Sequence, residues 1–309
     1  MTFDSMIPKD LFQKVRRIQI TTSRLVTDVF AGQYHSVFKG QGVEFDEVRE
    51  YQPGDDIRTI DWNVTARTGR PHIKKYVEER ELTVMILVDA SRSARFGSVK
   101  QLKSRLAAEV AALLAFSAIR NNDKVGLIIF TDQIEKFIPP RKGQGHVLRV
   151  IREILYHEPR KTGTDLSLAL EYLSRVLSRR AIAFVISDFY ECAALPTAEP
   201  TFKKALTLAN KRHDVVGVSL NDPRERELPD CGLVRLTDAE TGRQDVIDTS
   251  DSRVRQDYAR QALERTAQRE KMFRSAGIDH IAVNTDVPYV EEMIKFFLAR
   301  RKQRRRGAR

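Results

Sequence analysis

The chain is predicted to be an α/β protein, a mainly parallel sheet with helices on both faces, preceded by a small turn-rich module. Three observations carry this. After about residue 82, apolar runs of five or six residues alternate with amphipathic stretches, the pattern of repeated βαβ units. Runs such as Val84-Met85-Ile86-Leu87-Val88 are apolar without alternation, as strands buried on both faces are. With 309 residues, 41% hydrophobic and 31% charged, the chain can bury a large core. That composition excludes wholesale disorder and a collagen-like scaffold.

Residues 1–31 read as a helical lead-in, with Leu11, Val15, Ile18 and Val26 near helical spacing. Between 32 and 81 the texture shifts to Gly, Pro and Asp with short apolar pieces. Aromatic and β-branched residues keep recurring there, which makes it a compact module rather than a linker. In Gln52-Pro53-Gly54-Asp55 the proline fixes φ and the glycine is free to take φ > 0, the chemistry of a tight turn. Arg49, Arg58 and Arg67 are expected to pair with Asp55, Asp56 and Asp61, clamping the module onto the sheet domain. The alternative for this module is a partner-docking surface centred on Trp62, the only tryptophan, flanked by Arg58 and Arg67.

The domain over 82–301 opens with the Val84–Val88 strand. A helix follows with Leu102, Leu106, Val110 and Leu114 at i+4 steps on one face. Val125–Phe130 is the second buried strand, and 133–138 alternates like an edge strand in a hairpin with it. A helix over 147–156 leads to the turn 161–165. The next helix carries Leu166, Leu170, Leu173 and Leu177, with Thr164 or Asp165 as its N-cap. Strands at 181–186 and 215–220 flank a helix over 201–212, and 232–248 reads as a hairpin turning at 238–242. A long charged helix over 254–275, a strand at 281–283 and a helix over 288–301, with its proline in the first turn, complete the domain. Residues 302–309 form a basic tail.

Lys and Arg number 53 against 42 Asp and Glu, a formal charge of +11, and seven of those excess charges lie at or after Arg300. Such a tail can touch nucleic acid, an anionic membrane face or an acidic protein, or simply be solvated. It has no interleaved aromatics for base stacking, so a nucleic-acid-associated role is a secondary reading. The two cysteines, Cys192 and Cys231, are too few for a Cys-rich zinc site and too far apart for a redox pair. Reduced thiols, the absence of a signal-peptide pattern in residues 1–6 and the lack of a membrane-length apolar run lead us to expect a soluble, cytoplasmic protein.

The chemistry concentrates at predicted strand ends. In open α/β sheets ligands gather outside the carboxyl ends of the strands, near the point where strand order reverses. Asp89, Ser91 and Ser93 follow the first strand, Thr164 opens a later helix and Asp188 ends the strand at 181–186. A hard divalent cation, Mg²⁺ or Mn²⁺, suits such an oxygen set, and with few anionic ligands it would accept a partner's carboxylate. The bland alternative is N-capping by the serines, or a polar site held by hydrogen bonds without an ion. GxSxG, GxxxxGK[ST] and HExxH motifs are absent, and the six histidines show no ligand spacing. A Mg-dependent phosphohydrolase is the competing enzyme reading, weakened because Ser91 stands where a DxD pair needs its second acid.

These residues resemble a known pattern. Asp89-Ala90-Ser91-Arg92-Ser93, Thr164 and Asp188 are similar, position by position, to the metal-ion-dependent adhesion site of von Willebrand factor A-type proteins. Phe189 departs from the glycine common after the last aspartate. The stretches Gly42–Phe45, Arg49–Arg58, Ile60–Trp62, Thr65–Arg67, Glu79–Glu81, Asp222–Glu225 and Asp238–Gly242 extend the likeness. Together they resemble an uncharacterised bacterial family commonly encoded beside MoxR-type AAA+ ATPases. The resemblance implies a von Willebrand A-type fold and a non-catalytic, metal-dependent interaction module. Its partner would be a MoxR-type AAA+ ATPase or a client protein presenting a carboxylate.

Overall fold

The computed structural model describes residues 34, 44–77, 81–190, 199–238 and 242–307. The lead-in predicted over 1–31 and Cys192 lie outside them. The chain divides into two compact units, residues 38–82 and residues 1–37 with 83–309.

In the smaller unit, strand β1 (Glu44–Glu50) pairs antiparallel with β2 (His72–Val77), and helix α1 (Trp62–Thr68) lies between them in sequence. The tight turn forms as expected: Gly54 has φ 108° and the Asp55 amide donates to the Gln52 carbonyl at 3.1 Å. Arg49 pairs with Asp55 at 2.7 Å. The other two expected pairings give way to capping. Asp56 accepts from the Arg58 amide at 2.9 Å, and Asp61 accepts from the Asn63 and Val64 amides at the start of α1, so both carboxylates serve backbone donors. The Arg58 and Arg67 side chains are exposed.

The larger unit is built on a six-stranded sheet: β3 (Thr83–Asp89), β4 (Lys124–Phe130), β5 (Ile134–Arg141), β6 (Ile182–Ser187), β7 (Asp214–Asn221) and, after a small hairpin, β10 (Asp279–Asn284). The hairpin is β8 (Leu233–Thr237) with β9 (Gln244–Asp248). The sheet order is β10-β7-β6-β3-β4-β5, all parallel except β5. The predicted α/β class and its mainly parallel sheet therefore hold. β5 carries Pro139 and Pro140 at the sheet edge, where a missing N–H breaks no ladder bond.

Among the described residues six helices cover the two faces: α2 (Lys103–Arg120), α3 (Gln144–Tyr156), α4 (Leu166–Val176), α5 (Glu199–Arg212), α6 (Ser252–Ala276) and α7 (Tyr289–Gly307). Met85 and Leu87 of β3 share one core with Leu170 and Leu173 of α4, Phe202 and Leu206 of α5 and Phe273 of α6. Alternation along β3 turns Val84, Ile86 and Val88 to the opposite face, where α2 packs. α2 is buried almost all round, and its Ala107, Ala108, Ala111 and Ala112 are each at most 1% exposed. Leu102 does not join its apolar face. It is the N-cap residue and is exposed, because the helix begins one residue later than the leucine spacing suggests.

α7 runs past the predicted Arg301 end to Gly307, and Arg300 is no solvated tail residue. It is 8% exposed and pairs with Asp214 and, at 3.1 Å, with Asp279. Among the described residues no helix is long and apolar enough to cross a membrane.

Candidate metal centre

Strand order reverses between β3 and β6, so the crevice outside the carboxyl ends of these two neighbours is the favoured ligand position of such a sheet. Asp89 ends β3 there and is only 4% exposed. One of its oxygens accepts from the Ser91 amide at 2.8 Å and the other from the Ser187 hydroxyl at 2.6 Å. Burial and the neighbouring Asp188 charge push the Asp89 carboxyl up to about 6, against the pull of those hydrogen bonds.

Ser91 is fully buried and Ser93 half-buried, with their hydroxyl oxygens 3.0 Å apart. Ser91 occupies the N-cap position of the short 3₁₀ turn Arg92–Arg95 but makes no side-chain cap bond. The bland capping reading of this serine therefore does not describe the structure. Ser93 also lies beside Asp188 and helps to hold its carboxyl low, so the β3 and β6 loops meet here. Thr164 lies in the loop before α4, held at the same end of the sheet by bonds on either side. The Arg92 amide donates to the Thr162 carbonyl at 3.2 Å, and the Asp165 amide donates to the Thr131 carbonyl at 2.9 Å. Asp165, the next residue, caps α4 by accepting from the Leu168 amide.

Asp188 leaves β6 through a strained turn. Phe189 has φ 54°, a left-handed backbone that a bulky residue rarely adopts. It is held there by packing, since its ring is 1% exposed and lies edge-on to Phe273 at 5.1 Å, with Phe202 at 6.4 Å. The turn thus survives without the glycine, and the aromatic core supplies what glycine's freedom would have given.

Sequence reasoning missed two residues of the site. Lys103, at the start of α2, is fully buried and places its Nζ 2.8 Å from Asp188 Oδ2 and 2.6 Å from Glu225 Oε1. Burial works against its charge, and the two carboxylates outweigh that and hold its pKa above the ordinary lysine value. Burial likewise pushes Asp188 up, but the Lys103 charge and its hydrogen bond prevail and hold Asp188 low. Glu225 goes the other way, raised by burial despite the same lysine. Glu225 closes a capping box with Asp222, which also accepts from the Ser98 amide at 2.9 Å and from the Thr285 hydroxyl at 2.6 Å. The Asp222–Glu225 motif thereby ties the loop after β3 to the loop after β10. A buried lysine 85 and 122 residues from its partners leaves no local signal in sequence.

The donor set is chemically suited to a hard cation. It offers two carboxylates that repel each other in a buried site, with neutral hydroxyl oxygens beside them. Among the described residues no group of three or more His, Cys, Asp or Glu side chains gathers to hold a metal, so an ion here would rest largely on hydroxyl oxygens and water. Elsewhere, Trp62 is 69% exposed at the start of α1 and Ile57 nearby is 65% exposed, so the smaller unit carries apolar surface of its own.

Comparison with known proteins places the chain. A protein of Mycobacterium tuberculosis, "Uncharacterized protein Rv1480", is 32% identical over 292 residues, covering 93% of this chain and 89% of that protein. "Uncharacterized protein YeaD" of Bacillus subtilis is 26% identical over 107 residues, covering 35% of this chain and 25% of that protein. Among solved structures, the conserved hypothetical protein BatB of Bacteroides thetaiotaomicron aligns with TM-score 0.45 and 17% identity over 72% of this chain and 99% of that one. The manganese-loaded TRAP protein of Plasmodium vivax aligns with TM-score 0.29 and 15% identity over 45% of this chain and 57% of that one. Neither structural likeness decides function. The family model described as "Protein of unknown function DUF58" matches residues 47–268, and with the mycobacterial relative spanning nearly the whole chain it shows that this protein belongs to the DUF58 family.

Proposed function

We propose that the chain is a non-catalytic, metal-dependent protein-interaction module of von Willebrand A type. The observation that carries the reading is the meeting of Ser91, Ser93, Asp89 and Asp188 at the switch point of the sheet, with the serine hydroxyls 3.0 Å apart beside two buried acids. Ser91, Ser93 and Thr164 would offer hydroxyl oxygens to Mg²⁺ or Mn²⁺, with Asp89 and Asp188 balancing the charge. When bound, the ion would supply an open coordination position for a carboxylate.

The chain's own residues do the rest. Ser187 and the Ser91 amide hold the Asp89 carboxylate in one orientation, and Lys103 does the same for Asp188. The Asp222–Glu225 capping box keeps Lys103 in place. The partner we propose, from the sequence resemblance, is a MoxR-type AAA+ ATPase or a client presenting an acidic side chain.

The test is association of the purified chain with such an ATPase in Mg²⁺ and in EDTA, for the wild type and Asp89→Ala. Association that is lost both in EDTA and in the variant supports the reading. Association unchanged in EDTA contradicts it.

A further inference from the structure

Beside Asp188, on the side away from the serines in sequence, a cavity of about 50 Å³ is lined by Tyr190, Glu225, Arg226, Arg265, Thr266 and Arg269, among others. Part of its polar wall comes from one helix. Arg265, Thr266 and Arg269 fall on a single face of α6 at helical spacing. Arg269 is 8% exposed; it donates to the Asp188 carbonyl at 2.9 Å and to Asn221 Oδ1 at 3.0 Å, and its buried Nε has no protein acceptor. Arg265 stacks on the Tyr190 ring at 5.2 Å and donates to its hydroxyl at 3.3 Å. Arg226 donates to Asn284 Oδ1 at 2.7 Å.

Three guanidiniums thus border one small cavity, and each uses a neutral acceptor. The two carboxylates in the lining, Asp188 and Glu225, are both bonded to Lys103 instead. A buried guanidinium N–H without an acceptor costs free energy comparable to a lost hydrogen bond. The volume is well below that of a pocket for a drug-sized ligand or cofactor, and it matches a single head group. Planar, forked guanidiniums recognise planar carboxylates.

We propose that this cavity receives a second carboxylate of the partner, so that the molecule recognises a segment bearing two acids. One acid would complete the metal shell at Ser91, Ser93 and Thr164, and the other would lie against Arg265 and Arg226, with Asp188 as the shared wall. This rests on the metal-dependent reading for its first acid but not for its second, and the two are separable by experiment.

The test is an NMR titration of the isotope-labelled full chain with end-blocked glycine-based peptides. One carries a single glutamate; the others carry two, separated by zero to three glycines. In Mg²⁺ the best two-acid peptide is expected to bind about tenfold tighter than the one-acid peptide. Arg265→Ala should abolish that advantage and leave one-acid affinity unchanged. Among the described residues the Arg265 side chain hydrogen-bonds to Tyr190 and to no buried group, so the variant is expected to fold, and its thermal midpoint checks this. Where Mg²⁺ strengthens one-acid binding, equal affinities for the two peptides in the wild type, or an advantage that persists in Arg265→Ala, would overturn the proposal.

The same titration in EDTA separates the two readings. If the metal reading fails, Mg²⁺ changes nothing, yet a peptide shift that Arg265→Ala removes would still support the cavity. No Arg265-dependent shift in either condition would overturn the cavity on its own. Inorganic phosphate is the control for a free anion: Arg265-dependent binding of phosphate tighter than that of the one-acid peptide would overturn assignment to a partner's side chain.

Discussion

Asp89 is the residue at which stability and function pull apart. Its carboxyl is buried beside a second carboxylate and raised to about 6, so at neutral pH the folded chain carries a charge it would rather lose. Asp89→Asn keeps an acceptor for the Ser91 amide and removes that repulsion. We expect it to raise the free energy of unfolding at pH 7.5 in EDTA by about 1–2 kcal/mol, with Mn²⁺ binding lost; urea denaturation and Mn²⁺ titration measure both. Lys103→Met acts in the opposite sense. It leaves Asp188 buried without its partner, which costs roughly 3 kcal/mol in metal-free buffer. Added Mn²⁺ should restore more stability to Lys103→Met than it adds to the wild type, since the ion then compensates two acids instead of one. Equal increments in the two proteins would argue against a cation binding beside Asp188.

At the scale of elements, the strands and helices were legible because their signals are local. Continuous apolar runs marked β3, β4, β6 and β7, and Asp165 stood where a helix needed its cap. Errors fell where a distant group decides. Leu102 fits the helical spacing of α2, but the chain turns there so that Lys103 can enter the site, and α7 continues to Gly307 through a run that charge alone read as tail. The proposed ligand residues stand out as a motif, whereas Lys103, Glu225 and the arginine face of α6 acquire meaning only when the sheet brings their loops together. β7 and β10 carry a prediction of their own. His213, just before β7, and His280, on β10, are held down to about 4, chiefly by burial and then by nearby arginines. Folded, both stay neutral until about pH 4; unfolded, they take up protons below about 6.5. Their contribution to stability is therefore complete above about pH 6.5 and is lost as pH falls toward 4, on the order of 3 kcal/mol for each group. A double variant His213→Gln, His280→Asn should flatten the fall in urea midpoint between pH 6.5 and 4.5. An unchanged slope would mean that other groups control it.

For the whole molecule, the doubly wound sheet explains why residues nearly a hundred positions apart share one site. The order β10-β7-β6-β3-β4-β5 sets the ends of β3 and β6 side by side, and the loops that carry Asp89, Ser91, Ser93 and Asp188 leave from that end. The central claim is that this end binds a divalent cation. The most direct measurement is the thermal midpoint of the full chain in EDTA against excess Mn²⁺, for the wild type and Asp89→Ala. A ligand at a hundredfold excess over its Kd adds about 2.7 kcal/mol to the native state, a rise of a few degrees for a chain of this size. The account predicts that rise in the wild type and none in Asp89→Ala. No rise in either protein, or the same rise in both, would contradict it.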